Sequence, residues 1–239
     1  FQDFEDKIVK NKIKLFILCS PHNPVGRVWT KQELIKIGNI CLKHNVIVVA
    51  DEIHCDFIYK GYKHIVFGSL KKDFLNNSII CTAPSKTFNL AGLQISNIFI
   101  ANKHLREKFV LEINKTGYSQ LNTSGILSCQ AAYEHGSEWV DELNKYIACN
   151  LAYVRDFINS NLPKIKLIEP EGTYLLWLDC SSLSLNDKDL NSLITNKAKL
   201  WISSGTVFGT EGKGFIRVNI AAPLGTIKIA FNKLKGALL

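Results

Sequence analysis

Short apolar runs alternate with longer amphipathic segments over the first two thirds of the chain, and this alternation restricts the possible folds. The runs NVIVVA (45–50) and SIICTA (78–83) are apolar along almost their whole length, which is typical of strands buried on both faces. The segment KQELIKIGNICLKH (31–44) has helical spacing of its apolar residues, with Thr30 as N-cap and Glu33 placed to complete a capping box. Buried strands that alternate with helices predict an α/β fold with a helix-covered sheet.

The spacing of apolar residues changes over roughly the last 140 residues: it is first typical of helices alone and then again of strands and helices together. From about residue 102 the spacing is helical, and it culminates in a long helix over 137–162 that Pro163 ends. Shorter elements follow, and we predict strands at 164–169, 173–179 and 214–221 and helices at 186–200 and 224–239.

This change predicts three parts. Residues 1–140 form the C-terminal part of a large, ligand-binding domain, 141–162 a long connecting helix, and 163–239 a smaller α+β domain.

Composition excludes several classes of protein. No apolar stretch in the 239 residues approaches the roughly 20 residues that cross a bilayer. The 7 cysteines contain no CxxC pair, which argues against a disulfide framework or a zinc site and favours reduced thiols in the cytoplasm. The net charge of +8 is spread along the chain without a dense basic run, so we expect no nucleic-acid partner. Because the sequence has neither a bilayer-spanning stretch nor a cluster of metal ligands, we also expect no membrane partner and no metal.

Four polar residues lie at or just after predicted strands. Asn23, Asp51 and Lys86 each follow a strand, and Arg217 lies inside one. Taken singly, each has an ordinary explanation: an Asn-Pro turn, a capping or ion-paired carboxylate, a loop lysine, and an arginine at the edge of a core. Because ligands of α/β sheets collect beyond the carboxyl ends of strands, we expect the first three to face one crevice.

Together these four residues supply what a pyridoxal 5′-phosphate site needs. The aldehyde of that cofactor needs an amine, its pyridine nitrogen a carboxylate, and its phenolic oxygen a neutral donor. The carboxylate of an amino-acid substrate needs a bidentate arginine. Lys86, Asp51, Asn23 and Arg217 provide these groups in that order.

Four motifs in this order, SPHNPVGRVW, VVADEIHCDFIY, APSKTFNLAGLQISN and GFIRVNIAAP, resemble those of the fold-type I pyridoxal-phosphate enzymes of aminotransferase class I/II. The resemblance is strongest to the MalY/PatB-type cystathionine β-lyase (C–S lyase) branch. It implies an aminotransferase-like large domain with a mixed, mostly parallel sheet, a smaller α+β domain, and a homodimer. It covers essentially the whole chain but only the later part of the family's chain. Since the sequence opens with Phe1 and contains no methionine, we expect that an N-terminal part is missing.

The resemblance implies a role for each residue. Lys86 would form the Schiff base and then move the Cα proton, and Asp51 would bind the pyridinium nitrogen. Asn23 would contact the phenolic oxygen and also the substrate carboxylate, which Arg217 would clamp. Ser85 would contact the cofactor phosphate.

Three positions depart from the pattern of many aminotransferases. His54 stands where they carry tyrosine, and it is either a cofactor contact, as in the lyase branch, or a structural histidine. Gln94 replaces an arginine that binds phosphate, and Ala83 replaces a serine. Phosphate binding would therefore depend on other groups, including backbone amides. The family's glycine-rich phosphate loop and ring-stacking aromatic belong to the segment before Phe1.

These observations predict a C–S β-lyase that cleaves a cystathionine-like sulfur amino acid to a thiol, pyruvate and ammonia. Two alternatives remain open. An aminotransferase would use the same lysine, aspartate and arginine, and a non-catalytic regulatory domain would use the same scaffold.

Overall fold

The computed structural model describes residues 1–118 and 120–238, and in it the chain divides into two units. The first unit consists of Phe1–Pro21 and Val28–Val140, and the second of His22–Arg27 together with the residues from Asp141 onward. No helix within the described ranges is long and apolar enough to cross a membrane.

The first unit is built on a four-stranded sheet of order β1-β2-β3-β4. Strands β1, β2 and β3 are parallel, and β4 is antiparallel to β3. The carboxyl ends of the three parallel strands therefore meet at one edge of the sheet. The bounds are β1 Leu15–Cys19, β2 Ile47–Asp51, β3 Ser78–Thr82 and β4 Asn97–Phe99.

Three helices of the first unit, Gln2–Asn11, Lys31–Lys43 and Lys72–Asn76, pack with the sheet around a buried apolar core that includes Ile8, Leu34 and Phe74. Thr30 caps α2 as predicted: its Oγ1 accepts the N–H of Glu33, whose Oε2 accepts the N–H of Thr30. A Cβ on Gly38 of α2 would lie 2.4 Å from the Phe74 ring, so a glycine is required at this contact. Phe74 stacks on Phe67, with ring centroids 5.2 Å apart. The helices are α1 Gln2–Asn11, α2 Lys31–Lys43, α3 Lys72–Asn76, α4 Pro84–Thr87, α5 Lys103–Lys115 and α6 Thr123–His135.

The second unit is built on an antiparallel sheet of order β5-β6-β8-β7, packed with the long helix α7. Asn150 of α7 is fully buried, and its side-chain amide donates to the carbonyl oxygens of Ile220 and Ala222, each at 2.9 Å. The elements are α7 Ser137–Asn161, β5 Lys166–Ile168, β6 Leu175–Asp179, α8 Asp187–Ser192, β7 Ser203–Ser204, β8 Phe215–Asn219 and α9 Leu224–Leu238.

The structure confirms the α/β fold and the mixed, mostly parallel sheet. The predicted helices at 31–44 and 137–162 correspond to α2 and α7. The sequence pattern predicts neither α1 nor the two-residue strand β7. The helix predicted over 186–200 is wrong in its length, because α8 ends at Ser192 and Leu193–Lys197 forms a π-helical turn.

Candidate active site

Asp51 is the last residue of β2, and its half-buried side chain lies at the carboxyl edge of the parallel strands. The strand register places Cys19 of β1 and Cys81 of β3 on either side of it. Oδ1 of Asp51 accepts the N–H of Ile53 at 3.3 Å. Burial raises the pKa of the Cys81 thiol, and the negative charges of Asp51 and Glu52 raise it further. This edge of the sheet is therefore suited to a positively charged ligand group.

The buried carboxylate of Glu52 fixes the turn that follows Asp51. Glu52 is only 2% exposed: its Oε1 accepts the N–H of Phe67 at 2.9 Å, and its Oε2 lies 2.9 Å from Nε2 of His64. His54, in the same turn, is 3% exposed, with its ring centroid 6.3 Å from that of Phe57. This burial suits a structural histidine as well as a cofactor contact, so the role of His54 stays a prediction.

Lys86 lies in α4, a single helical turn, where the sequence predicts a loop. Pro84 occupies the first turn, where its fixed φ favours helix formation. Ser85 and Lys86 follow it, and both are half-buried. A single turn is not stable by itself, so tertiary contacts must hold α4 in place.

The two residues that follow the lysine provide these contacts. Thr87 is 1% exposed, and its hydroxyl donates to Oδ2 of Asp56, in the turn after β2, at 2.6 Å. Phe88 packs edge-on against Tyr133 of α6, with centroids 5.5 Å apart, and stacks on Trp139 at 6.0 Å. The lysine is therefore presented by an anchored backbone.

In the second unit, the guanidinium of Arg217 is held on several sides. Nη1 donates to Oδ1 of Asn23 at 2.9 Å, and Nη2 donates to Oγ of Ser203 at 3.0 Å. The centroid of the Phe208 ring lies 4.8 Å from the guanidinium carbon. Burial lowers the pKa of Arg217, and the neighbouring Tyr174 partly offsets this. The arrangement can bind an anion in the plane of the guanidinium.

The structure thus places the predicted residues in two groups. In the first unit, Asp51 ends β2, His54 lies in the turn after it, and Ser85 and Lys86 lie in the helical turn after the neighbouring strand β3. In the second unit, Asn23 contacts Arg217 directly.

Two positions near Lys86, Gln94 and Ala83, differ from the arginine and serine of many aminotransferases. Gln94 has left-handed backbone angles, φ 52° and ψ 44°, and ends a short turn. Ala83 is 6% exposed and extended. Neither side chain offers phosphate a cation or a hydroxyl.

Sequence reasoning misses Thr87, Asp56, Ser203 and Phe208. The first two lie inside the motif stretches, so their proximity to the predicted residues was a usable signal. Ser203 and Phe208 lie in a two-residue strand and in the turns after it, where periodicity gives no signal.

The donor chemistry of the first unit fits pyridoxal 5′-phosphate. A carboxylate for the ring nitrogen, an amine for the aldehyde and a hydroxyl for the phosphate are all partly shielded from solvent. Within the described ranges, no group of three or more His, Cys, Asp and Glu side chains is arranged to hold a metal ion.

Comparison with known proteins agrees with this chemistry. The chain is 42% identical over 238 residues to cystathionine beta-lyase PatB of Bacillus subtilis, covering 100% of this chain and 62% of the relative. It is 33% identical over 220 residues to Protein MalY of Escherichia coli, covering 92% of this chain and 56% of the relative. The crystal structure of cystalysin from Treponema denticola, which contains a pyridoxal 5′-phosphate cofactor, matches with a TM-score of 0.97 and 40% identity, over 99% of this chain and 60% of that one.

The chain therefore spans about 60% of the length of the relatives that it matches. Residues 1–234 match the family model described as aminotransferase class I and II. The resemblance expected from the four motifs is confirmed, and the chain belongs to the aminotransferase class I and II family.

Proposed function

We propose that the protein is a pyridoxal-phosphate-dependent C–S β-lyase that cleaves a cystathionine-like sulfur amino acid. The observation that carries the proposal is the placement of Asp51 at the carboxyl end of β2 and of Lys86 in the helical turn that follows the neighbouring parallel strand β3. The 42% identity to a cystathionine beta-lyase over the whole chain supports lyase chemistry.

Four residues of the first unit would hold the cofactor. Asp51 would contact the pyridine nitrogen and keep it protonated, and Lys86 would bind the aldehyde carbon. Ser85 would donate to the phosphate, and His54 would support the site from the turn after β2. When bound, the cofactor supplies a ring that takes up the electron pair released at the substrate Cα.

The residues of the chain then bind the substrate and move protons. Arg217 would form a bidentate ion pair with the substrate carboxylate, and Asn23 would hydrogen-bond the carboxylate and the cofactor's phenolic oxygen. The amine of Lys86 would accept the proton from Cα. The anchors on Thr87 and Phe88 keep that amine in one place, which matters because proton transfer requires hydrogen-bonding distance.

The proposed reaction balances without a redox partner. The C–S bond at Cβ breaks, and its electron pair leaves with sulfur, which takes up a proton to become a thiol. The remaining aminoacrylate is hydrolysed by water to pyruvate and ammonia.

The second candidate is an aminotransferase, which the description of the matching family supports. It would bind cofactor and substrate and remove the Cα proton in the same way. No thiol would leave, however, and a 2-oxo acid would be needed to accept the amino group. A regulatory domain on the same scaffold is the third candidate, although the proposed catalytic groups are all present.

One assay separates the three. The purified full-length protein, with any segment that precedes Phe1, is incubated with pyridoxal 5′-phosphate and L-cystathionine, with no 2-oxo acid, and pyruvate and free thiol are measured. The lyase proposal predicts both products in equal amounts. Amino transfer to an added 2-oxo acid without either product would favour the aminotransferase, and the absence of all turnover would favour a regulatory role.

We also infer the setting in which the enzyme works. All 7 cysteines are free, which supports a reducing compartment such as the cytoplasm. Membership of the family supports a homodimer, and exposed apolar side chains such as Phe99 (59%) and Leu127 (61%) are suited to contact with further protein surface. The domain division at residues 140 and 162 is part of the same proposal.

A further inference from the structure

We propose that Ser203 and Phe208 are positioning residues that fix the orientation of the Arg217 guanidinium and so set how tightly the substrate carboxylate binds. The inference rests on the proposed function, in which Arg217 binds that carboxylate. It adds two residues whose effect is exerted through the arginine.

The first constraint comes from the short strand β7. Its antiparallel pairing with β8 places Ser203 directly opposite Arg217. Side chains of directly opposite residues project from the same face of a sheet, so the Ser203 hydroxyl reaches Nη2 of Arg217 at 3.0 Å. The next residue, Ser204, is opposite Ile216, and its hydroxyl lies 2.9 Å from that of Thr206.

The second constraint comes from the loop between β7 and β8. A Cβ on Gly205 would lie 2.1 Å from the carbonyl oxygen of Gly212, and a Cβ on Gly212 would lie 2.0 Å from that of Gly205. The two backbone segments touch, and only glycine permits such an approach at both positions. The contact closes the loop that carries Phe208 over Arg217.

The aromatic neighbours of Phe208 fix the plane of its ring. Trp177 of β6 is paired with Arg217 in the register and is 7% exposed. Phe208 packs edge-on against Trp177, with centroids 5.6 Å apart and an interplanar angle of 83°. Trp177 in turn stacks on Phe215 at 5.1 Å. The ring over the guanidinium is therefore part of a packed aromatic cluster.

These contacts restrict how the guanidinium can meet an anion. Nη1 and Nη2 each have a hydrogen-bond partner, and one face of the group is covered by an aromatic ring. A carboxylate must then approach in the plane of the guanidinium, where it can accept two parallel hydrogen bonds. Loss of either contact leaves the charge but removes this preorganisation, so binding should weaken while proton removal at Cα is little affected.

The test measures binding of L-alanine, which has no leaving group on Cβ, by calorimetry on the purified protein loaded with pyridoxal 5′-phosphate. L-Alanine methyl ester, which lacks the carboxylate, is the comparison ligand. Ser203→Ala should weaken L-alanine binding about tenfold, the scale of a hydrogen bond to a charged group. Phe208→Leu should weaken it about threefold to tenfold. Affinity for the ester should not change.

Rescue and control variants separate positioning from general damage. Ser203→Thr and Phe208→Tyr retain the hydroxyl and the ring, and they should restore L-alanine binding to within about twofold. Ser204→Ala and Val207→Ala alter the same segment away from the guanidinium and should behave like the unaltered protein. With L-cystathionine, Ser203→Ala and Phe208→Leu should raise KM and leave kcat within about twofold.

The outcomes are distinguishable. If Arg217→Ala loses L-alanine binding while Ser203→Ala and Phe208→Leu keep it, the positioning inference is wrong and the proposed function stands. If Arg217→Ala also binds L-alanine normally, the role of Arg217 in the proposed function is wrong. Equal losses for acid and ester, or failure of the rescue variants, would mean that the two residues act only on stability.

Discussion

The hydroxyl of Thr87 donates a 2.6 Å hydrogen bond to Asp56, and this bond ties the helical turn of Lys86 to the turn that follows Asp51. The proposed cofactor contacts come from these two segments, which are connected through the sheet by the pairing of β2 with β3. Because α4 is one turn long, a fixed separation between amine and carboxylate requires such a bond.

Removing the Thr87 hydroxyl should therefore weaken cofactor binding. Thr87→Val preserves the shape but leaves Asp56 without this donor, at a cost of about 1–3 kcal/mol. We expect about tenfold weaker binding of pyridoxal 5′-phosphate in equilibrium dialysis. Thr87→Ser, which keeps the hydroxyl, is the control. Equal affinities for the valine and serine variants would show that the bond does not position the site.

Glu52 should be one of the most sensitive positions for stability in the first unit. Its two carboxylate oxygens meet the N–H of Phe67 and the ring of His64 in the interior. Glu52→Ala removes the acceptor of both groups and should lower the free energy of unfolding by about 2–4 kcal/mol in urea titrations, since each buried donor that loses its partner costs about 1–3 kcal/mol. Glu107→Ala is the matched control, since this side chain is 62% exposed and its ion pair with Lys103 is 3.8 Å long. A similar small loss for both variants would contradict the buried network.

Thiol reactivity should follow burial. Burial raises the pKa of Cys41 to about 11 and those of Cys55 and Cys180 to about 12, whereas Cys149 is exposed. With Ellman's reagent at pH 8, followed by peptide mass spectrometry, we expect rapid labelling of Cys149. The buried thiols of Cys41 and Cys180 should react only after denaturation, and the partly buried thiol of Cys55 should react more slowly than that of Cys149.

The same raised pKa values give a dependence of stability on pH. An unfolded thiol loses its proton near pH 8.5, roughly, whereas the folded thiols keep theirs to higher pH. Between these values the folded state binds more protons, so stability is complete below that pH and falls as pH rises towards 11–12. Fast labelling of Cys180 in the folded protein would contradict this description of the core.

Asn150 should be needed for the second unit. Its amide satisfies the carbonyl oxygens of Ile220 and Ala222, which follow β8 and hence Arg217. Asn150→Leu preserves the volume but leaves both carbonyls unpaired, so we expect a loss of about 2–4 kcal/mol in the free energy of unfolding. Asn232→Leu, which alters an exposed amide on α9, is the control. An Asn150→Leu variant as stable as this control would disprove the assignment.

The sequence was most informative where the signal is local. The helix α2 was predictable because Thr30 and Glu33 form a cap within three residues and the apolar spacing follows one helical face. The strands around Asp51 and Lys86 were predictable because their apolar runs are continuous. By contrast, β7 has only Ser203 and Ser204, and it exists because β8 offers it hydrogen-bond partners.

Contacts between segments that are distant in the sequence could not be predicted from the sequence. Asn23 and Arg217 are 194 positions apart, and their shared task followed from the chemistry that a pyridoxal 5′-phosphate site needs and from the resemblance, whereas their direct contact did not. Thr87 and Asp56 are 31 positions apart, with no pattern that links them. The position of Phe208 depends on a glycine contact and on the register of Trp177, and both are products of the folded sheet.

Lys86 should be the residue that binds the cofactor covalently. The purified protein is mixed with pyridoxal 5′-phosphate, reduced with borohydride and digested, and the modified peptide is identified by mass spectrometry. We expect the cofactor adduct on the peptide that contains Lys86, its loss together with turnover in Lys86→Ala, and its retention in Lys103→Ala, which alters an exposed lysine. An adduct on another lysine, or a Lys86→Ala variant that keeps both adduct and turnover, would show that Lys86 does not bind the cofactor.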